Sequence, residues 1–229
     1  MGPLLTTGLE MPPDFPADAY HAIHLKIAAC VETHKETYSE FAGAWNALSY
    51  RYKAVAEYDQ LFTASIVKHG SGPPHEERYR QERDLFGFFN NGFSIFESLS
   101  YAMFAAGSML QPGHFPLATP RQKRAISVST TIAAYKAAYP SDSIAPMLDA
   151  TVKDPSLQEL RDIRNVLSHR TAPGRTIQAA IGGPVSDSDR WKLADVILDE
   201  TTTSKRRVQT TRLFSSVLEA FKMFTIAHF

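Results

Sequence analysis

Apolar residues recur at intervals of three and four over most of this 229-residue chain, and this spacing constrains its fold more than any other feature. A first run extends from Ile23 to Ile66. A second, aromatic-rich run is formed by Phe86, Phe89, Phe93, Phe96 and Met103. Such spacing aligns apolar side chains along one face of an α-helix, which must then pack on other helices. The sequence therefore predicts an all-α fold, an up-and-down bundle of at least four helices.

Proline- and glycine-rich segments indicate where these helices end. Four prolines lie within the first 17 residues, so we expect an extended or disordered arm at 1–18 and one helical domain at 19–229. A single helix over the whole first apolar run would be about 70 Å long, which predicts a break within 37–43. The aromatic run is expected to belong to a helix at about 75–110.

Two β-prone segments, at 175–181 and 191–198, interrupt the helical pattern later in the chain. A stretch containing glycine, proline and serine joins them. We therefore expect a small β-hairpin or ordered loop, inserted at about 171–203 between two helices.

The segment before this insertion has the features of an amphipathic helix. Ser156 and Glu159 form a capping-box pattern beside Pro155, and the residues at 171–174 cannot continue a helix. Its apolar face is formed by Leu157, Leu160, Ile163 and Leu167, and its polar side by Gln158, Asp162, Asn165 and His169.

Arg164, Asn165 and His169 on this helix form the pattern R-N-x-x-x-H. The pattern resembles the signature of the HEPN superfamily, small all-α domains that include many metal-independent endoribonucleases of microbial defence and toxin–antitoxin systems. The resemblance covers about one helix, and the helical periodicity elsewhere agrees with it. It implies a HEPN-type bundle, an RNA substrate and a homodimer paired across the motif helix. A separate antitoxin or regulator could be a further partner.

The resemblance also implies roles in cutting RNA without a metal, by attack of the 2′-hydroxyl on the adjacent phosphate. His169 can accept or donate the proton, and Arg164 can hold two phosphate oxygens at once. Asn165 can orient the histidine ring or the phosphate. The candidates for contacts with the RNA backbone are Arg161, Arg170, Lys205, Arg206 and Arg207.

Three polar residues, Asn90, Asn91 and Glu97, interrupt the aromatic run. Asn90 and Glu97 are seven positions apart and therefore share a helix face. A carboxylate among phenylalanines needs a partner, for which Arg164 is a candidate. Glu97 and Asn90 would then either stabilise the fold or hold the motif residues in their working orientation.

Two alternatives remain open. In the first, Arg164 forms an ordinary ion pair and His169 lies at a frayed helix end. In the second, the chain is a non-catalytic helical binding or dimerisation module. An open cleft lined by Arg164 and His169 would favour the nuclease, whereas burial or ion pairing of these residues would favour the binding module.

The composition argues against several other classes of protein. The net charge is +0, so any contact with RNA must come from a local basic patch. The single cysteine, Cys30, forms no internal disulfide and suits a reducing cytoplasm. The chain has no zinc-ligand spacing, phosphate-binding glycine loop or nucleophile elbow, so no metal or cofactor is expected. It shows no secretory signal, and Glu97 interrupts the most apolar segment, so no membrane span is expected.

Overall fold

A computed structural model describes residues 4–6, 8–169, 174–176, 190–193 and 196–229. Helices make up most of these residues. They are α1 Ala17–Ala28, α2 Lys35–His69, α3 His75–Leu110, α4 Pro120–Arg124, α5 Val128–Ala138, α6 Ile144–Lys153, α7 Pro155–His169 and α8 Thr202–His228. The strands are β1 Leu4–Thr6, β2 Leu9–Met11, β3 Gly174–Thr176, β4 Arg190–Leu193 and β5 Val196–Ile197. The predicted all-α class is thus confirmed.

The two longest helices, α2 and α3, pack against each other as an antiparallel hairpin, and α3 has the bounds expected from the sequence. The predicted break in the first apolar run lies at 29–34, before the expected 37–43. It coincides with the gap between Cys30 and Tyr38, where the sequence offers no regularly spaced apolar side chain to bury. From Lys35 onward α2 is continuous for 35 residues, about 52 Å.

The core lies between this hairpin and α8, with α1, α5, α6 and α7 packed around it. Large side chains dominate it; those of α2 and α8 include Phe41, Trp45, Phe62, Phe214 and Phe221, all essentially inaccessible to solvent. Two glycines of α3 allow aromatic rings to pack closely against the backbone of this helix. A Cβ on Gly107 would lie 2.6 Å from the ring of Phe115, and one on Gly87 would lie 2.5 Å from the ring of Tyr58.

Part of the predicted arm contacts the helical core. Met11 and Phe15 are buried. The ring of Phe15 lies 5.2 Å from the rings of both Tyr20 and Tyr52. The sequence did not predict the burial of these two side chains. The four prolines suppress helical periodicity, but they do not prevent Met11 and Phe15 from reaching the core.

The predicted insertion contains a three-stranded antiparallel sheet with the order β3-β4-β5. Residues 177–189, which include most of the first β-prone segment and the connecting loop, lie outside the described part of the chain. Trp191 of β4 is buried, with its ring 5.8 Å from that of Phe62 on α2. The sheet is therefore anchored to the long hairpin.

None of the described helices is both long enough and apolar enough to cross a bilayer.

Candidate functional site

The motif helix α7 starts two residues earlier than its capping-box pattern predicted. Asp154 accepts a hydrogen bond of 2.9 Å from the backbone N–H of Ser156, and Pro155 occupies the first helical position. The cap is thus Asp154 rather than Ser156. Arg212 of α8 donates to the other oxygen of Asp154 at 2.7 Å. This hydrogen bond, with the smaller contribution of Ser156, lowers the pKa of the Asp154 carboxyl.

The apolar face of α7 packs on the middle of α3. Leu157, Leu160 and Ile163 are buried, as their spacing predicted. Leu160 lies over Gly92, where an added Cβ would be 3.5 Å from its methyl carbons. This packing brings the edge of α7 that carries Arg164 and Ser168 next to the polar residues of α3.

Arg164 pairs with Glu97 of α3. Its Nη2 atom donates to Oε1 of Glu97 at 2.8 Å. Its guanidinium carbon lies 4.6 Å from the centre of the Phe93 ring, a cation–π distance. Ser94 donates to the second oxygen of Glu97 at 3.0 Å. The side chain of Arg164 is 19% exposed and that of Glu97 is 49% exposed, so the pair lies at the surface with the arginine on the inner side.

The Nε atom of Arg164 is buried and has no hydrogen-bond partner among the described residues. One side of the guanidinium therefore faces the protein. Its Nη1 atom makes no hydrogen bond to a described residue and is not among the buried unpaired atoms. The 19% of the side chain that is exposed is the part of Arg164 open to a ligand.

Asn90 makes a second contact between α3 and α7. Ser168 donates to Oδ1 of Asn90 at 2.8 Å, while Nδ2 of Asn90 donates to the carbonyl of Phe86 at 3.0 Å. Asn90 and Glu97 lie two turns apart on α3 and contact residues one turn apart on α7. Two of the three polar interruptions of the aromatic run, Asn90 and Glu97, thus contact the motif helix, whereas Asn91 donates to the carbonyl of Gly87 within α3.

The structure describes less of the surroundings of the other two motif residues, Asn165 and His169. Asn165 is half-buried. Its side chain makes no hydrogen bond to another residue of the described ranges. His169 is the final residue of α7, but its side chain lies outside the described part, as does Arg170. The structure therefore gives no distance between Arg164 and the ring of His169.

The predicted RNA-contacting residues fall into two groups. Arg161 is 42% exposed and its Nε atom lies 3.3 Å from Oδ1 of its neighbour Asp162; Lys205 is also exposed. In contrast, Arg206 donates to Glu159 at 2.6 Å. Arg207 is held by carboxylates on two segments.

The Arg207 contacts are with Asp14 at 2.7 Å and Asp59 at 3.3 Å. Both guanidinium groups, those of Arg206 and Arg207, are thus engaged by the protein itself. Among the candidates with described side chains, Arg161 and Lys205 remain the most open to a phosphate backbone.

A cavity of about 790 Å³ lies beside the motif helix, between α2, α3, the start of α5 and α7. Arg161 and Glu97 form part of its wall. Sequence reasoning did not identify this cavity or its α2 residues Glu40 and Arg51. A signal was present, because Gly43, Ala44 and Ala47 lie on one face of α2 and leave room that larger side chains would fill.

Glu40 is held in a small network at the cavity wall. Lys123 of α4 contacts one of its oxygens, and the hydroxyl of Tyr101 donates to the other at 2.7 Å. The hydrogen bond from Lys123, assisted by that from Tyr101, lowers the pKa of Glu40. Burial, together with the hydrogen bond to Glu40, raises the pKa of Tyr101. Glu40 is therefore already neutralised by its own partners.

Within the described ranges, no group of three or more histidine, cysteine, aspartate or glutamate side chains could hold a metal ion.

Comparisons of the chain with protein-family models, curated proteins and solved structures find nothing that matches it. Its function must therefore be argued from the residues and their geometry.

Proposed function

We propose that this protein is a metal-independent endoribonuclease of the HEPN type, which acts on RNA in the cytoplasm in defence or toxin–antitoxin biology. The R-N-x-x-x-H pattern on α7 motivates this proposal. The observation that carries it is that Glu97 of α3 fixes one side of the Arg164 guanidinium while part of the arginine side chain stays exposed at the protein surface. Such support is what a preorganised phosphate-binding arginine requires.

The proposed reaction is an internal transfer of the phosphodiester. The 2′-oxygen of RNA forms a bond to phosphorus while the bond from phosphorus to the 5′-oxygen breaks. His169 takes the 2′-hydroxyl proton or delivers a proton to the departing 5′-oxygen. The products are a 2′,3′-cyclic phosphate and a free 5′-hydroxyl.

Arg164 would stabilise the charge that develops on the phosphate oxygens. Because Nε is buried and Nη2 bonds to Glu97, the phosphate would approach from the side of Nη1. Glu97 then acts as a positioning residue that fixes the plane of the guanidinium. Phe93 supports the same plane from below.

Arg161 and Lys205, which are exposed, are the proposed contacts for the flanking RNA backbone. Arg170 retains the same proposed role on the basis of the sequence. Arg206 and Arg207 would have to leave carboxylate partners to take part.

We further propose that two protomers pair with their α7 helices facing each other. A two-fold axis near the motif would double every residue close to it, so one arginine and one histidine per chain become two of each. Phosphoryl chemistry gains from groups on both sides of the scissile phosphate. Phe86, which is 46% exposed one turn before Asn90, could contribute an apolar contact to this interface.

A second candidate function is a non-catalytic binding module, and one observation favours it. Arg164 is only 19% exposed and is ion-paired, which is the arrangement expected if this residue merely joins α7 to α3. In that case the protein would bind RNA without cutting it, or it would bind a protein partner.

The deciding experiment is incubation of the purified protein with end-labelled RNA in the presence of a chelator. The nuclease proposal predicts cleavage that persists in chelator and leaves 2′,3′-cyclic phosphate ends. Arg164→Ala and His169→Ala should each abolish it without a change in the far-ultraviolet circular dichroism spectrum.

Matched controls are available on the same protein. Arg80→Ala removes an arginine that pairs with Glu77 on the exposed first turns of α3, and His75→Ala removes an exposed histidine. Both should cut like the wild type. Cleavage that survives in all four variants would place the activity elsewhere, whereas RNA binding without any cleavage by the wild type would favour the binding module.

A further inference from the structure

The cavity beside the motif helix has a size, a lining and a charge balance that the proposed RNA cleavage does not require. We propose that it is a binding site for a small organic anion with an aromatic or similarly bulky apolar body. This inference does not depend on the nuclease proposal, because it concerns binding to the walls of the cavity rather than cleavage at α7.

The size and lining argue for an apolar body. A volume of about 790 Å³ falls in the range that holds drug-sized ligands. The walls are mostly apolar. Ala44 and Ala47 on α2, Phe96 on α3, Ile126 before α5 and Leu157 on α7 contribute to them. A hydrated inorganic ion would leave such surfaces uncovered, whereas a ring system would bury them.

The charge balance argues that the ligand is an anion. Both carboxylates of the wall already have cationic partners, since Glu40 contacts Lys123 and Glu97 contacts Arg164. Arg51 on α2 has no carboxylate within ion-pair distance among the described residues, and it lines the same cavity. Arg161, whose charged contact is the adjacent Asp162 at 3.3 Å, lines it from α7. The cavity therefore has two cations available to a ligand and no unpaired carboxylate among its lining residues.

The placement of the two arginines gives the ligand an orientation. Arg51 belongs to α2 and Arg161 to α7, and Phe93 of α3 lines the cavity together with them. The first turn of α5 contributes to another part of the wall through Ser127 and Ser129. We expect the acidic group to bind Arg51 and Arg161 while the apolar body lies against the alanines of α2.

Two fluorescent probes with the same ring system separate these contributions. They are 8-anilino-1-naphthalenesulfonate, which carries a sulfonate, and N-phenyl-1-naphthylamine, which lacks it. Fluorescence titration of the folded protein should show saturable binding of the sulfonate at one site per chain. The neutral amine should bind about tenfold more weakly, because it lacks the charge-assisted contacts.

Substitutions then locate the probe. Arg51→Gln should weaken binding of the sulfonate about tenfold while changing that of the neutral amine less than about twofold. Ala47→Trp should fill the cavity and weaken binding of both probes by at least about tenfold. Gly43→Leu is a second blocking variant, because a Cβ there meets no atom within 4 Å.

The controls use the same residue types outside the cavity. Ala64→Trp places the same bulk on an exposed position of α2, and Arg80→Gln removes an arginine on the first turns of α3. Neither should change the affinity for either probe.

Three results would overturn the proposal. One is wild-type affinity for both probes in a folded Ala47→Trp or Gly43→Leu variant. Another is an Arg51→Gln variant that binds the sulfonate as tightly as the wild type. The third is displacement of the sulfonate by inorganic sulfate as effective as that by 1-naphthalenesulfonate, because the site would then bind the charge alone and not the apolar body.

Discussion

Arg164 and Glu97 are 67 positions apart in the chain, yet Nη2 of the arginine lies 2.8 Å from Oε1 of the glutamate. The contact joins the motif helix α7 to the middle of α3. Because Glu97 is about half exposed, the pair should contribute less than about 1 kcal/mol to stability. An effect of Glu97 on activity would therefore be separable from an effect on folding.

Replacing Glu97 by glutamine should lower RNA cleavage with little change in melting temperature. The amide keeps the size of the side chain but loses the charge that holds the guanidinium plane. We expect kcat to fall about tenfold and KM to change little, since the loss is one of positioning. Steady-state cleavage of a short RNA measures both constants.

Glu77→Gln is the matched control, because Glu77 pairs with Arg80 at 2.6 Å on an exposed turn of the same helix. It should leave kcat unchanged. If Glu97→Gln cleaves like the wild type, the carboxylate has no positioning role; if it melts several degrees lower, its role is structural.

A composite site predicts that two inactive proteins can restore activity when mixed. Arg164→Ala and His169→Ala protomers would form heterodimers in which one site retains an intact arginine from one chain and an intact histidine from the other. We expect the heterodimer to regain part of the wild-type activity, because its composite site keeps one arginine and one histidine. The measurement is RNA cleavage after subunit exchange, alongside light scattering to determine the mass in solution.

Mixing Arg164→Ala with Arg164→Ala,His169→Ala protein is the control and should remain inactive. A wild-type protein that stays monomeric well above its working concentration would contradict the shared site directly.

Gly107→Ala should destabilise the fold, whereas Gly43→Ala should not. A Cβ at Gly107 would lie 2.6 Å from the ring of Phe115, which is fully buried and cannot move aside. We expect a loss of about 1–3 kcal/mol in the free energy of unfolding. Gly43 lies within α2, where an added Cβ meets nothing within 4 Å, so alanine there should add about 0.5–1 kcal/mol. Urea denaturation of both variants measures the two changes.

Glu40 should stabilise the protein at neutral pH and lose this effect in acid. The hydrogen bond from Lys123 lowers the pKa of Glu40 below its ordinary value of 4.5. A lowered pKa in the folded state gives stabilisation that is present above the ordinary value and lost as the pH falls through the folded value. The difference in melting temperature between wild type and Glu40→Gln should thus shrink between about pH 7 and about pH 3.

The control for this pH effect is Glu57→Gln, because Glu57 lies 3.7 Å from Lys53 on an exposed turn of α2. Little difference from the wild type is expected at either pH. A Glu40→Gln deficit that is equally large in acid would show that the side chain acts through packing.

Local signals in the sequence predicted most helices well. The spacing of Leu157, Leu160 and Ile163 correctly assigned the buried face of α7, and proline and glycine placed both ends of α3. These signals succeed because helix periodicity and turn chemistry depend on near neighbours. The position of the α1–α2 break and the identity of the α7 cap were wrong. The break lies where the regular apolar spacing stops after Cys30, and Asp154 rather than Ser156 accepts the capping hydrogen bond.

The candidate site was predictable only in part, since a site depends on contacts between distant segments. Asn90 and Glu97 are recognisable in the sequence as polar residues among phenylalanines, and both form hydrogen bonds with side chains of α7. Arg51 gave no such signal, because an arginine on a helix surface is ordinary until its neighbours are known. Likewise, nothing in the basic run Lys205 to Arg207 revealed that Asp14, almost 200 positions away, would bind Arg207.

Phe15 contacts the rings of Tyr20 and Tyr52 at 5.2 Å and that of Phe214 at 6.2 Å, while Asp14 binds Arg207 beside it. The packed core therefore extends back to Met11 and does not begin at α1. A shortened version starting at Ala17 would expose an aromatic surface formed by three helices. Expression of such a version should give aggregation, and the boundary chosen for any fragment of this chain should lie before β2.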